Sequence, residues 1–180
     1  MKKSRLLFLG LLSLFWANDL QSQNKTLESI GDVFLFALPA TSLGTTLAVG
    51  DKKGTKQFVK GLLLNQALTF GLKEAINKPR PFDNGNKAFP SGHTSTTFQA
   101  ASFIQKRYGW KYGIPAYALA SFTGYSRIET KRHDGWDVLA GALIGIGSTY
   151  IFTTPYQKEH FALTYSGGKN QHLIGFSYKF

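Results

Sequence analysis

The chain has 180 residues, 43% of them hydrophobic, no cysteine, and a formal net charge of +11 at pH 7. That is enough for one domain with a real core, and disorder is not the default. The lack of cysteine excludes disulfides, thiolate metal sites and a cysteine nucleophile, and a total of ten Asp and Glu argues against a metal site built from carboxylates. The positive balance points to anionic partners such as lipid headgroups, phosphorylated glycans or nucleic acid, without choosing among them.

Lys2, Lys3 and Arg5 precede an apolar run from Leu6 to Ala17, and the polar stretch Asn18 to Lys25 follows. The run is short for a membrane span, so residues 1–22 read as a signal peptide with cleavage expected after the small Ser22. An uncleaved anchor helix is the alternative. Ile30 to Gly50 is mostly apolar, with Asp32 near its start and Pro39 inside. Phe58 to Ile76 has helical spacing in Phe58, Leu62, Leu63, Ala67, Phe70 and Gly71. It carries Lys73 near its end, and the Asn77–Pro81 stretch stops it.

Residues 82–92 form a loop by composition. Helices are expected from His93 or Thr94 to about Tyr108, from about Ile114 to Gly124, and from about Trp136 to Phe152. The last carries Gly141, Gly145 and Gly147 on faces where helices can approach closely. Beyond Pro155, two runs rich in aromatic and β-branched residues flank Gly167-Gly168-Lys169-Asn170, which predicts a β-hairpin tail over 156–180. His160 and His172 lie in that tail and read as structural or surface residues. The expected architecture is all-α: a compact helical domain over 23–155 with a C-terminal hairpin. A mean hydropathy of −0.14 favours a bundle that is soluble or rests on a membrane surface over a multi-pass one.

Three polar blocks interrupt this helix-prone sequence: Lys73 with Arg80-Pro81, then Pro90-Ser91-Gly92-His93, then Ser126-Arg127 with His133 and Asp137. Phosphoryl transfer needs cations on the non-bridging oxygens, an in-line nucleophile and a proton for the leaving oxygen. Lys73, Arg80 and Arg127 can clamp a phosphate. Ser91 and the Gly92 N–H sit where a loop enters a helix, a place that binds anions. His133 and Asp137 are four apart, so on a helix the carboxylate can orient the ring as an activated nucleophile, and His93 can act as general acid. Asp134 is a rival partner for His133, but adjacent side chains on a helix diverge.

In order and spacing the blocks resemble the signature of the type 2 phosphatidic acid phosphatase superfamily, which shares its site with vanadium-dependent haloperoxidases. The resemblance covers about Phe58 to Phe152. It implies a helical phosphatase that uses no cofactor or metal and acts on a phosphorylated lipid or small phosphomonoester in the cell envelope, with no nucleic acid partner. It also implies phosphate binding by Lys73, Arg80, Ser91, Gly92 and Arg127, leaving-group protonation by His93, and a phosphohistidine at His133 supported by Asp137. Glu129, Lys131, Arg132 and Asp134-Gly135-Trp136 depart from the family pattern and are expected at the pocket mouth. The alternatives are a vanadium haloperoxidase using the same cradle, or a non-catalytic binder of anionic lipid.

Overall fold

Caps and turns divide the chain into five helices. The computed structural model describes residues 2–83, 85–156, 161–168 and 171–178, with side chains described within 24–82, 85–156, 163–168 and 171–177. The helices are α1 (Lys2–Ala48), α2 (Lys52–Ile76), α3 (Gly92–Tyr108), α4 (Trp110–Glu129) and α5 (Gly135–Phe152). Asp51 caps α2 by accepting from the Gly54 N–H at 2.8 Å, Ser91 caps α3, and Asp134 forms a capping box with Asp137 at the start of α5. Asn77 ends α2 in the left-handed conformation. α1 runs unbroken through the polar Asn18–Lys25 stretch, and α4 extends past the expected bounds at both ends with Pro115 inside it.

Central helix α3 packs chiefly against α5 and α4, with α1 and α2 on its other sides. Two glycines set the α3–α5 approach. A Cβ at Gly145 would lie 2.3 Å from the Ser95 carbonyl oxygen, and one at Gly141 would lie 2.6 Å from that of Ser91. Gly147, expected to serve the same purpose, faces open space.

The interior is small and polar. Beside Phe58, Phe103, Ile104 and several alanines, α3 buries Thr94, Ser95, Thr97, Gln99 and Ser102. The larger apolar side chains point outward, among them Phe36, Leu63, Phe70, Ile114, Leu143 and Ile151. Water does not favour that arrangement, whereas helices that meet through small residues and present Leu, Ile and Phe outward suit an apolar surrounding. Asn24–Ala48 of α1 and Gly135–Phe152 of α5 are long and apolar enough to cross a membrane. A chain-averaged hydropathy hides this, because it pools these helices with exposed lysines at the helix ends and loops and with a small, polar interior.

A buried ion pair locks one end of the bundle. Arg107 donates from Nε to Asp51 Oδ2 at 2.7 Å and from Nη2 to Oδ1 at 2.6 Å, and the Tyr108 hydroxyl lies 3.0 Å from Oδ2. Burial works against the Asp51 carboxylate, but Arg107 and the Gly54 N–H outweigh it and hold its pKa below the usual value.

The expected hairpin is present as β1 (Phe161–Gly168) paired antiparallel with β2 (Gln171–Tyr178), closing at Gly168 and Gln171. Tyr165 stacks on His172 across it, with the hydroxyl 2.7 Å from Nδ1. His160 lies outside the described residues.

Candidate active site

At the opposite end from the Arg107 pair, the last turns of α2 and α4 meet the first turns of α3 and α5. Lys73 reaches from the end of α2 and donates from Nζ to the Lys87 carbonyl at 2.7 Å. Beyond the turn at Asn77, the Arg80 N–H donates to the Gly85 carbonyl at 2.7 Å and the Ala88 N–H to the Lys78 carbonyl at 2.8 Å, folding the Arg80 loop back on itself. Gly92 and His93 open α3. The His133 N–H donates to the Arg127 carbonyl at 3.1 Å, which fixes the link between α4 and α5. Lys73, Arg80, Gly92, His93 and His133 thus line one cavity of about 510 Å³. The rest of its lining is largely apolar, with Leu35, Phe36 and Pro39 of α1 and Leu62 and Phe70 of α2.

His133 and Asp137 do not share a helix as expected, because Asp134 caps α5 and leaves His133 just outside it. The carboxylate still approaches the ring, with His133 Nδ1 3.5 Å from Asp137 Oδ2. This is an ion-pair distance without hydrogen-bond alignment, and Nδ1 is buried without a partner. Asp137 is fully buried. It accepts from the Asp134 N–H at 3.1 Å and from Lys78 Nζ at 2.8 Å. Asp134, the rejected rival, caps the helix and pairs with Lys78. Although burial works against both charges, the ion pair raises the Lys78 pKa and lowers that of Asp134.

Burial, then the Lys73 charge, push the His133 pKa down to about 4, against the pull of Asp137. The ring is therefore neutral near pH 7, the form in which an imidazole is nucleophilic. Nδ1 is buried beside Asp137, so Nε2 is the nitrogen left for the cavity.

Two expected phosphate ligands stand back from the cavity wall. The Ser91 hydroxyl is fully buried and accepts from the Thr94 hydroxyl at 3.0 Å, while the Ser91 N–H donates to the Asp137 carbonyl at 2.9 Å and ties α3 to α5. Arg127 is buried behind His93. It donates from Nε to the Ser126 hydroxyl at 3.2 Å and from Nη2 to the Glu28 carbonyl at 2.6 Å.

The expected mouth residues go elsewhere. Arg132 donates to Glu28 Oε1 at 2.8 Å, and Lys131 lies 4.6 Å from the centre of the Phe82 ring. Neither they nor Glu129, Asp134 and Trp136 line the cavity.

Three residues at this end were not singled out by the motif reading. Lys78 lies inside the first block, between the two positions that reading used. Glu28 and Asp32 come from α1. Asp32 Oδ1 is 2.9 Å from His93 Nε2 and 3.0 Å from Arg127 Nη1. The signal for Asp32 was available, since it is the one charged residue between Ile30 and Gly50, and a lone acid in an apolar helix marks function by default.

Residues 55–161 match the model of the PAP2 superfamily. The chain belongs to that superfamily. A lipid A 4′-phosphatase of Helicobacter pylori is 35% identical over 99% of this chain and its own full length. A lipid A 1-phosphatase of Porphyromonas gingivalis is 38% identical over 54% of this chain and 24% of its own. The crystal structure of Aquifex aeolicus LpxE superposes with a TM-score of 0.64 over 72% of this chain and 84% of that one, at 24% identity, and so shares the fold. All three motif blocks fall inside the PAP2 match, while Glu28 and Asp32 fall outside it.

Proposed function

We propose that this PAP2 phosphatase hydrolyses a phosphomonoester of a lipid A-type glycolipid in the cell envelope, releasing inorganic phosphate. The observation that carries the reading is the cavity itself: Lys73, Arg80, His93 and His133 share the lining of one space with Leu35, Phe36, Pro39, Leu62 and Phe70. The polar set suits a phosphate and the apolar set an acyl chain. The full-length likeness to a lipid A 4′-phosphatase favours the 4′-phosphate over the 1-phosphate.

In this mechanism the Lys73 and Arg80 side chains and the Gly92 N–H neutralise the non-bridging oxygens, with Arg127 adding charge from behind His93. His133 Nε2 attacks phosphorus as the bond to the leaving oxygen breaks, and His93 gives that oxygen its proton. Asp137 stabilises the positive charge that develops on His133. Water then attacks the phosphohistidine, His93 takes its proton, and the N–P bond breaks to release inorganic phosphate.

For its setting, we propose an exported chain held in the membrane with the catalytic end outward. Lys52, Lys53, Lys56, Lys106 and Lys111 lie at the Arg107 end, where the one acid among the described residues, Asp51, is engaged by Arg107. Basic residues at helix ends favour the cytoplasmic side. A continuous helix of 47 residues is about 70 Å long, more than twice a hydrocarbon core of about 30 Å. That length supports residues 1–22 as an export signal separate from the bundle part of α1.

The test is phosphate release from lipid A bearing the 1-phosphate, the 4′-phosphate or both, by protein in detergent or nanodiscs. Release of the 4′-phosphate, lost in His133→Ala, is expected. Release only from small soluble esters would overturn the lipid assignment, and vanadate-dependent halide oxidation without phosphate release would favour the haloperoxidase reading.

A further inference from the structure

Asp32 reaches the site from α1, outside the family's matched residues. One carboxylate oxygen, Oδ1, is 2.9 Å from His93 Nε2 and 3.0 Å from Arg127 Nη1. Two donors that meet on a single oxygen are aimed at one anion position. Those donors are the proton source and one of the phosphate cations in the mechanism above. The Asp32 side chain is 48% exposed, whereas that of Arg127 is 3% exposed, so the carboxylate has room to withdraw and the guanidinium does not.

The neighbouring residue shows that the approach is built in. A Cβ at Gly31 would lie 2.3 Å from the Ser126 hydroxyl oxygen and 2.5 Å from Arg127 Nη2. With no side chain there, α1 lies directly against Arg127, where the Glu28 carbonyl accepts from Nη2 at 2.6 Å. One helical turn of α1, from Glu28 to Asp32, therefore fixes the guanidinium plane.

We propose that Asp32 is a positioning residue that occupies the anion position in the resting enzyme, holding the His93 Nε2 proton and shielding the Arg127 charge until a phosphoryl group displaces it. The inference rests on the phosphatase reading for its catalytic half only. On substrate entry the carboxylate gives up both donors. Arg127 then faces phosphate oxygen, and the His93 Nε2 proton passes to the leaving oxygen as the P–O bond breaks. Burial and the Arg127 charge pull His93 toward its neutral form, and Asp32 and Glu28 oppose them. The lowering effects win, so the His93 pKa lies below its ordinary value. Asp32 thus serves opposite ends: it favours the protonated ring against that shift, and it competes with phosphate for Arg127.

That opposition separates it from a structural role. In Asp32→Asn, inorganic phosphate and vanadate should bind about 3- to 10-fold more tightly, because a repelling charge has gone. Turnover of an alkyl or glycosyl phosphate, whose leaving oxygen needs a proton, should fall by about 10-fold or more. Turnover of p-nitrophenyl phosphate, whose leaving group departs without one, should change by less than about 3-fold. Asp32→Glu should restore much of the alkyl-ester rate. Thermal melts of each variant in the same detergent identify any loss of fold, and Asp32→Glu serves as the second probe of phosphate affinity if Asp32→Asn unfolds. Equal losses on both ester classes, or phosphate binding that is unchanged or weaker in Asp32→Asn, would overturn the proposal. The binding arm is decisive whether or not turnover occurs, so a wild type that binds phosphate but releases none from any ester defeats the phosphatase reading separately.

Discussion

Each end of this bundle holds an arginine against a carboxylate, and the two pairs differ in how completely they close. Arg107 and Asp51 are 0% and 3% exposed, bidentate, and joined by Tyr108, while Arg107 also donates to the Thr154 carbonyl at 2.8 Å. Arg127 is as buried as Arg107, but its partner Asp32 is half open and shares its oxygen with a histidine at the cavity. A closed pair with its hydrogen bonds met is a clasp between helices. A half-open pair beside a titratable ring can exchange its anion. The same two residue types thus form a closed clasp at one end and, in the proposed mechanism, an exchangeable pair at the other.

The largest effect expected at the open end is that of His133, the proposed nucleophile. His133→Ala should lower turnover of any phosphomonoester by at least about 10³-fold, with the melting temperature close to wild type, as measured by phosphate release and calorimetry. Residual activity near wild type would remove His133 from the mechanism.

The closed end should show the reverse. Asp51→Ala takes the carboxylate away from a buried guanidinium and should destabilise the protein by about 3–5 kcal/mol, read from denaturant unfolding in detergent. The turnover per folded molecule should stay near wild type. A selective loss of turnover at full stability would make the two ends alike and break the comparison.

How much of this was legible in the sequence follows from range. Lys73, Arg80, Gly92, His93 and His133 announce themselves because each sits at a fixed distance from a helix end that local residues set: Asn77 and the prolines after α2, Ser91 before α3, Asp134 before α5. The hairpin was legible for the same local reason. What escaped depends on helices meeting in space. Asp32 and Glu28 reach the site because Gly31 lets α1 touch α4, a contact between residues about a hundred positions apart. Motifs give residue type and not depth, so only packing shows that the Ser91 and Arg127 side chains are almost fully buried and that Arg127 rests against Asp32. The charged stretch before His133 reads as a pocket mouth by composition, but Arg132 turns to Glu28 and Lys131 to the Phe82 ring.

Smaller effects sharpen the contrast. Gly145→Ala places a Cβ against the Ser95 carbonyl, and the α3–α5 contact it disturbs supports both ends. It should cost about 1–3 kcal/mol and lower turnover only in proportion to the unfolded fraction. The pH profile separates the ends further. His133 stays neutral down to about pH 4, so the acid limb of kcat/KM should fall near pH 4 and not near 6.5. Because the folded-state pKa is depressed, the stability tied to neutral His133 is present above about pH 6.5 and is lost as pH falls toward 4. An acid limb near 6.5 would mean that the ring is not held as described. The smallest change should come from Glu74→Gln, which removes an ion pair to Lys87 that is exposed on both sides, and it should shift stability by at most about 1 kcal/mol.

The central claim is that His133 carries the phosphoryl group between substrate and water. Its most direct test is acid-free quenching of the enzyme during turnover of a ³²P-labelled phosphomonoester, followed by mapping of the labelled peptide. The account predicts an acid-labile, alkali-stable label on His133 that His133→Ala cannot acquire. Turnover without any label on His133, or a label that persists at another residue in His133→Ala, would contradict it.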